Sequence, residues 1–190
     1  MSLPVPVRER LLAATYACIA RYGLSKTTID DVAREAKLSR ATVYRHFPGG
    51  RDQLVSETIS WEVNRFFQRL ASAVDGAAGF EELLEEALLF AHQAVEEHEV
   101  LQKMLQTEPE RLLPQLNVDS QRIRAFISAF LAPHIPIERL PAGMSVAALS
   151  EYVARLLLTF IGAQGQWDLT DRSQVRELVR TELIGGLLPR

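Results

Sequence analysis

Apolar residues recur at threes and fours along most of this 190-residue chain, the spacing of helices with one buried face. The first stripe is Val7, Leu11, Ala14, Cys18 and Tyr22. Ile29, Val32, Ala33 and Ala36 make a second. Thr28, followed three residues later by Asp31, is a capping-box-like start for it, with Asp30 and Asp31 at the positive end of the helix dipole. Ser39 is a further N-cap candidate only eleven positions after Thr28, so one helix must stop and another begin near Lys37 and Leu38. The helix that follows, about 40–46, is short, turns Ala41 or Val43 inward together with Phe47, and is ended by Pro48-Gly49-Gly50.

Beyond Pro48 the pattern predicts a long helix over about 51–74, through Leu54, Ile59, Val63, Phe66, Phe67 and Leu70, broken by the Gly-rich run at 75–79. Helices over about 80–98 and 99–106 follow, and Pro109 stands near the start of another that carries Ile123, Phe126, Ile127, Phe130 and Leu131. Pro133, Pro136 and Pro141 close it, and two final helices are expected over about 145–163 and 171–187. Beyond Pro48, strand alternation, internal repeats and low-complexity tracts are absent from the sequence. An all-α chain of nine helices is therefore expected, divided into a three-helix helix-turn-helix domain over 1–52 and a larger helical body over 53–190.

Composition narrows the class. At 47% hydrophobic and 24% charged residues the chain can bury a substantial core. Its lone Cys18 falls on the first apolar stripe, which points to burial and excludes a disulfide within one chain. The first residues lack the basic start and apolar run of a signal peptide, and the most apolar stretch, 142–163, is interrupted by Glu151 and Arg155, so a cytoplasmic protein without a membrane span is expected. The net charge of −3 conceals an asymmetry: residues 1–55 hold nine Lys+Arg against five Asp+Glu, the remainder twelve against nineteen. A basic head of +4 on an acidic body of −7 suits contact with a polyanion through the head alone.

The head carries matching chemistry. Two short helices joined by a tight turn present Arg40, Thr42, Tyr44, Arg45 and His46. A B-form major groove admits one helix, arginine can bond two acceptors on guanine, and Tyr, His and a second Arg can hold flanking phosphates. Residues 27–54, preceded by a helix ending Arg-Tyr-Gly at 21–23, resemble the N-terminal domain of TetR-family transcriptional regulators, most specifically in Thr42-Val43-Tyr44-Arg45-His46-Phe47. The resemblance covers about the first quarter of the chain. It implies that Tyr44 and His46 hold phosphates and that Ser39, Arg40, Ala41 and Thr42 face the bases, with Thr28 and Arg45 also at the DNA. Two departures follow from the same likeness. Lys37 occupies a turn position where the family often has Gly, implying a left-handed residue at about 1–2 kcal/mol. Pro48-Gly49-Gly50 replaces a loop that commonly carries lysine, which leaves Arg51 as the substitute phosphate contact.

In the body, the last two helices are apolar on more than one stripe, and a helix pair used twice makes an isologous four-helix interface. Val146, Leu149, Val153, Leu157, Val175, Leu178 and Val179 are the candidate homodimer contacts, and the family likeness favours a dimer reading two half-sites of double-stranded operator DNA. Trp61, Phe90, Met104, Phe126, Phe130, Tyr152 and Phe160 are candidates to line a cavity for an apolar or amphipathic small-molecule effector, with Tyr152, His92, Gln93 or Gln164 as polar anchors. An enzyme is not expected: there is no Gly-rich phosphate loop, Gly-x-Ser-x-Gly elbow or Cys/His pair. Nor is a cofactor or metal, since His92 and Glu96 at i, i+4 lack a third ligand at diagnostic spacing. The expected function is a ligand-responsive DNA-binding repressor. The alternative is a helical DNA-binding adaptor or architectural protein without an effector.

Overall fold

The computed structural model describes residues 5–140, 142–162 and 165–185, with side chains throughout these except at 115–120. Gln164 and the end of the final expected helix lie outside the described residues. Nine α-helices occur among the described residues, and no strand. They are α1 (Val7–Tyr22), α2 (Ile29–Glu35), α3 (Arg40–His46), α4 (Gly50–Val74), α5 (Phe80–Glu96), α6 (Glu99–Thr107), α7 (Pro109–Leu131), α8 (Val146–Gly162) and α9 (Arg172–Leu178). Two short 3₁₀ turns, Ala132–His134 and Ile137–Arg139, follow α7 in the proline-rich stretch.

The chain forms two compact units: Met1–Arg65 with His98–Asp119, and Phe66–Glu97 with Ser120–Arg190. The first unit thus extends past residue 52 and takes in the start of α4, all of α6 and the start of α7. Its main core joins Leu11 and Cys18 of α1, Val32 of α2, Val43 of α3, Phe47 and Leu54, with Trp61 packed at the edge. A second cluster joins Ile19 and Leu24 to Val55, Met104 and Leu112, so α6 and the start of α7 pack on α1 and α4. Burial leaves Cys18 with its thiol pKa raised, as expected of a structural thiol.

In the second unit α5, α8 and α9 share a core of Leu84, Leu88, Leu149, Val153, Val175 and Leu178. Arg172 pairs with Glu86, Arg176 Nε lies 3.3 Å from Glu85 Oε1, and Arg180 Nε lies 3.7 Å from Glu81 Oε2, binding the α9 segment to α5 along its flank. The last helix differs from the sequence expectation. It is α-helical only to Leu178 and then widens into a π turn over Val179–Leu183, closed by Ile184 N donating to Val179 O at 3.0 Å. The wider turn keeps Val175, Leu178, Val179, Leu183 and Ile184 all buried, which a single α-helical stripe would not.

Candidate nucleic-acid interface

The start of α2 is built as its sequence suggests. Asp31 N donates to Thr28 Oγ1 and Thr28 N to Asp31 Oδ2, each at 3.2 Å, completing a capping box. The Thr28 hydroxyl also donates to Asp31 Oδ2 at 2.5 Å, and these bonds hold the Asp31 carboxyl below the usual carboxylate range. At the turn, Lys37 adopts φ 53°, the left-handed conformation implied by its place in the motif. Arg10 Nη2 satisfies the Ala36 carbonyl at 2.8 Å, tying α1 to this turn. Ser39 then caps α3, accepting from Thr42 N at 3.2 Å, while the two hydroxyls lie 3.0 Å apart.

Val43 and Phe47 are fully buried, and their burial decides which way α3 faces. The opposite side carries Arg40, Ala41, Tyr44 and Arg45, all exposed, with Thr42 and His46 half-buried beside them. Six of the residues expected at the DNA therefore share one surface. Arg45 forms no ion pair among the described residues, whereas Arg40 pairs with Asp30 of α2 at 3.2 Å. Tyr44 is 45% exposed and is flanked by the loop before α4. Gly50, the first residue of α4, has φ +66°, and a Cβ there would meet the Tyr44 ring at 3.6 Å, so the conformation more than the space favours glycine.

Arg51 does not join this surface. Its Nε donates to Thr27 O at 2.8 Å, and Nη2 donates to Leu24 O, so the guanidinium is turned inward to the segment between α1 and α2. This geometry runs against the expectation that it replaces a phosphate-binding lysine: Nε and Nη2 already have backbone acceptors, and Nη1 lies 3.1 Å from Asp52 Oδ1. Arg8 is the residue that sequence reasoning missed. Its Nη1 donates to His46 O at 3.1 Å, its Nη2 meets Glu57, and its guanidinium carbon sits 4.7 Å from the Phe47 ring centroid. One side chain at the start of α1 thus holds the end of α3. A cation in the first turn of a helix opposes the dipole, and that was the available hint that Arg8 has a partner elsewhere.

A second missed group secures the same unit from α6 and α7. Glu108 Oε2 accepts from Ser25 N at 2.8 Å and from the Ser25 hydroxyl. Gly23, at φ +89°, passes so close that a Cβ would collide with the Glu108 carboxylate. Burial raises the Glu108 pKa, but the bonds from Ser25 and Leu24 and the charge of Arg111 outweigh it and hold the carboxyl below its usual range. Lys103 Nζ donates to Ala20 O at 2.8 Å near the end of α1.

The residues expected to line a cavity divide between the units. Met104 and Trp61 serve packing in the first, Met104 at 2% exposure within the second core cluster. In the second unit the ring centroids of Phe66 and Phe90 lie 5.9 Å apart, those of Phe66 and Phe67 5.2 Å, and those of Phe67 and Phe126 4.4 Å. Phe130 stacks on His134 at 5.3 Å, Phe160 is half-buried, and Tyr152 is exposed. His92 is buried and Gln93 exposed; no group of three or more His, Cys, Asp or Glu able to hold a metal occurs among the described residues.

The expected dimer residues require a correction. Leu149, Val153, Val175, Leu178 and Val179 are fully buried within a single chain, and Leu157 is 5% exposed; only Val146 is half-buried. Apart from Val146, that stripe fills the unit's own core. The exposed side of α8 carries Ala148, Tyr152, Arg155 and Thr159 instead. No described helix is long and apolar enough to cross a membrane.

Residues 11–58, spanning α1 to the first part of α4, match the model described as bacterial regulatory proteins, tetR family. The chain is 30% identical over 108 residues to the HTH-type transcriptional repressor KstR2 of Mycobacterium tuberculosis, a match over 57% of this chain and 54% of that protein. It thus spans about half the length of the curated relatives it matches. Among solved structures, the fold resembles the fatty acid degradation regulator FadR from Bacillus halodurans, with a TM-score of 0.61 at 16% identity, covering 96% of this chain and 98% of that one. It also resembles the transcriptional regulator SCO7518 from Streptomyces coelicolor A3(2), with a TM-score of 0.65 at 20% identity over 92% and 96% of the two chains. With its capped helix-turn-helix and outward-facing α3, the segment 11–58 is a DNA-binding domain of the tetR type, and the chain as a whole is similar to transcriptional regulators of that family.

Proposed function

We propose that this regulator is a repressor that binds a two-fold symmetric operator in duplex DNA as a homodimer and leaves it when a small, largely apolar effector occupies the second unit. The observation that carries the reading is α3. Seven residues long and seated on the core through Val43 and Phe47, it presents Arg40, Ala41, Tyr44 and Arg45 to solvent at the width of one major groove. Tyr44, Arg45 and His46 are assigned to phosphates, and Arg40 with the first turn of α3 to base edges. Residues 1–52 supply the DNA contact and 53–190 the effector and dimer functions. Similarity to a repressor supports repression over activation.

The dimer contact is assigned to the exposed side of α8, where Ala148, Tyr152, Arg155 and Thr159 recur at helical spacing, small enough at Ala148 and Thr159 for close approach. Half-sites about one helical turn apart would then each receive one α3. The linked rings of Phe66, Phe67, Phe90 and Phe126 in α4, α5 and α7 are the apolar environment assigned to the effector. α4 begins four residues after the end of α3, so an effector that favours a shifted pose of α4 changes how far apart the two reading helices stand.

The test is a binding titration of apolar compounds with and without saturating operator duplex. A coupling of about 1–3 kcal/mol, or about 5- to 150-fold, is expected, and reciprocity requires operator to weaken the compound by the factor with which the compound weakens operator. Compounds that bind with equal affinity in both states would contradict release by an effector.

A further inference from the structure

Two carboxylates open α2, and the cap uses one. Asp31 closes the box with Thr28 and lies 3.4 Å from Arg34. Asp30 reaches across the turn to α3: Arg40 Nη1 donates to its Oδ2 at 3.2 Å, and Arg40 Nε lies 3.2 Å from its Oδ1, so both oxygens engage one guanidinium. The side chains are 54% and 59% exposed, on the surface that presents Tyr44 and Arg45.

Asp30 suits the positive end of the α2 dipole, but that small contribution needs no partner, and neither it nor general DNA affinity explains the pairing with Arg40. An exposed ion pair contributes little to stability. A negative charge on a phosphate-facing surface weakens attraction to DNA of every sequence. Control over Arg40 does explain it. An arginine on an open helix face samples many rotamers and can turn to a phosphate as readily as to a base. With its Nε and Nη1 side held by carboxylate, the donors of Nη2 remain directed away from α2.

We propose that Asp30 is a positioning residue that determines specificity: its carboxylate holds the Arg40 guanidinium so that the remaining donors meet a guanine edge, and its charge disfavours any register that offers Arg40 only phosphate. The inference rests on the DNA-binding reading above and adds to it the base class, guanine through O6 and N7, that Arg40 selects.

The experiment compares the full chain with its Asp30→Asn, Asp30→Ala, Arg40→Ala and Asp30→Asn/Arg40→Ala variants, each selected against a pool of randomised duplexes and titrated on one fixed unrelated duplex. A whole bidentate contact discriminates by about 5- to 150-fold. Loss of the Asp30 carboxylate is expected to lower the guanine preference at one position per half-site by about 3- to 30-fold, part of that range. Affinity for the unrelated duplex should rise, with the melting midpoint unchanged. In the Arg40→Ala background, removing the carboxylate should leave the selected motif as it was, which a purely structural role for Asp30 would not produce. Unchanged motif strength in both Asp30 variants, with guanine lost in Arg40→Ala, overturns the proposal while DNA reading stands. A motif unaffected by Arg40→Ala overturns it too, by removing Arg40 from base contact. If the unmodified chain selects no motif, the DNA-binding reading fails with it.

Discussion

Arg51→Ala deprives two backbone carbonyls, Leu24 O and Thr27 O, of the guanidinium that bonds them. Hydrogen bonds from a charged group contribute about 1.5–3 kcal/mol each. Because the Arg51 side chain is 35% exposed, water can take over part of both contacts, and a loss of about 2–3 kcal/mol is expected. For a chain of this length that lowers the melting midpoint by about 4–12 °C. Thr27 immediately precedes the Thr28 cap, so the loosening should reach α2 as well. Arg51→Lys keeps the charge but cannot bond both carbonyls with a planar fork, and should lose most of the same stability. Thermal unfolding of the three proteins measures this, and the salt dependence of DNA binding supplies the control. The slope of log affinity against log salt should be alike for Arg51→Ala and the unmodified chain. An unchanged midpoint together with a slope smaller by about 0.9 would show that Arg51 contacts phosphate after all, and would refute the inward assignment.

Tyr44→Phe, Arg45→Ala and His46→Ala are expected to weaken binding to all duplexes by similar factors, with Arg45→Ala reducing the salt slope by about one unit; filter binding across a salt series checks both. Asp31 carries a pH dependence. Its folded pKa is lowered by the hydrogen bonds from Thr28, so its stabilisation is complete above the unfolded-state value of about 3.9 and is lost as pH falls through the lower folded value. Acid titration by circular dichroism should show that loss in the unmodified chain and not in Asp31→Asn. Val153→Asp places an unpaired charge at a fully buried site and should unfold the second unit at a cost of about 3–5 kcal/mol, whereas Tyr152→Glu, on the exposed side of α8, should leave helicity intact and yield monomers by sedimentation.

What was legible in the sequence was local. Thr28 with Asp31 and Ser39 with Thr42 are three residues apart, so the caps that set α2 and α3 could be read directly, and the burial of Val43 and Phe47 followed from spacing. The groups that brace this head could not. Arg8 meets the carbonyl of His46, and Glu108 meets Ser25, across 38 and 83 residues, distances over which periodicity carries no information. For Arg51 the sequence leaves two outcomes open, because a basic residue after such a helix can face either DNA or its own backbone, and only the path of the α1–α2 segment brings Leu24 O and Thr27 O within its reach. Leu149, Val153 and Leu178 show the corresponding limit for packing. A stripe at threes and fours states that a face is covered, not whether the cover comes from the same chain or from a second copy. The π turn after α9 likewise depends on several residues being drawn inward together.

The most direct test of the central assignment is selection of the full chain against randomised duplex DNA, followed by sequencing of the retained pool. The expected result is a pair of inverted half-sites with centres about one helical turn apart, each containing a guanine whose preference is lost in Arg40→Ala. Retention of duplexes without a shared motif, at an affinity set only by salt, would contradict sequence reading by α3.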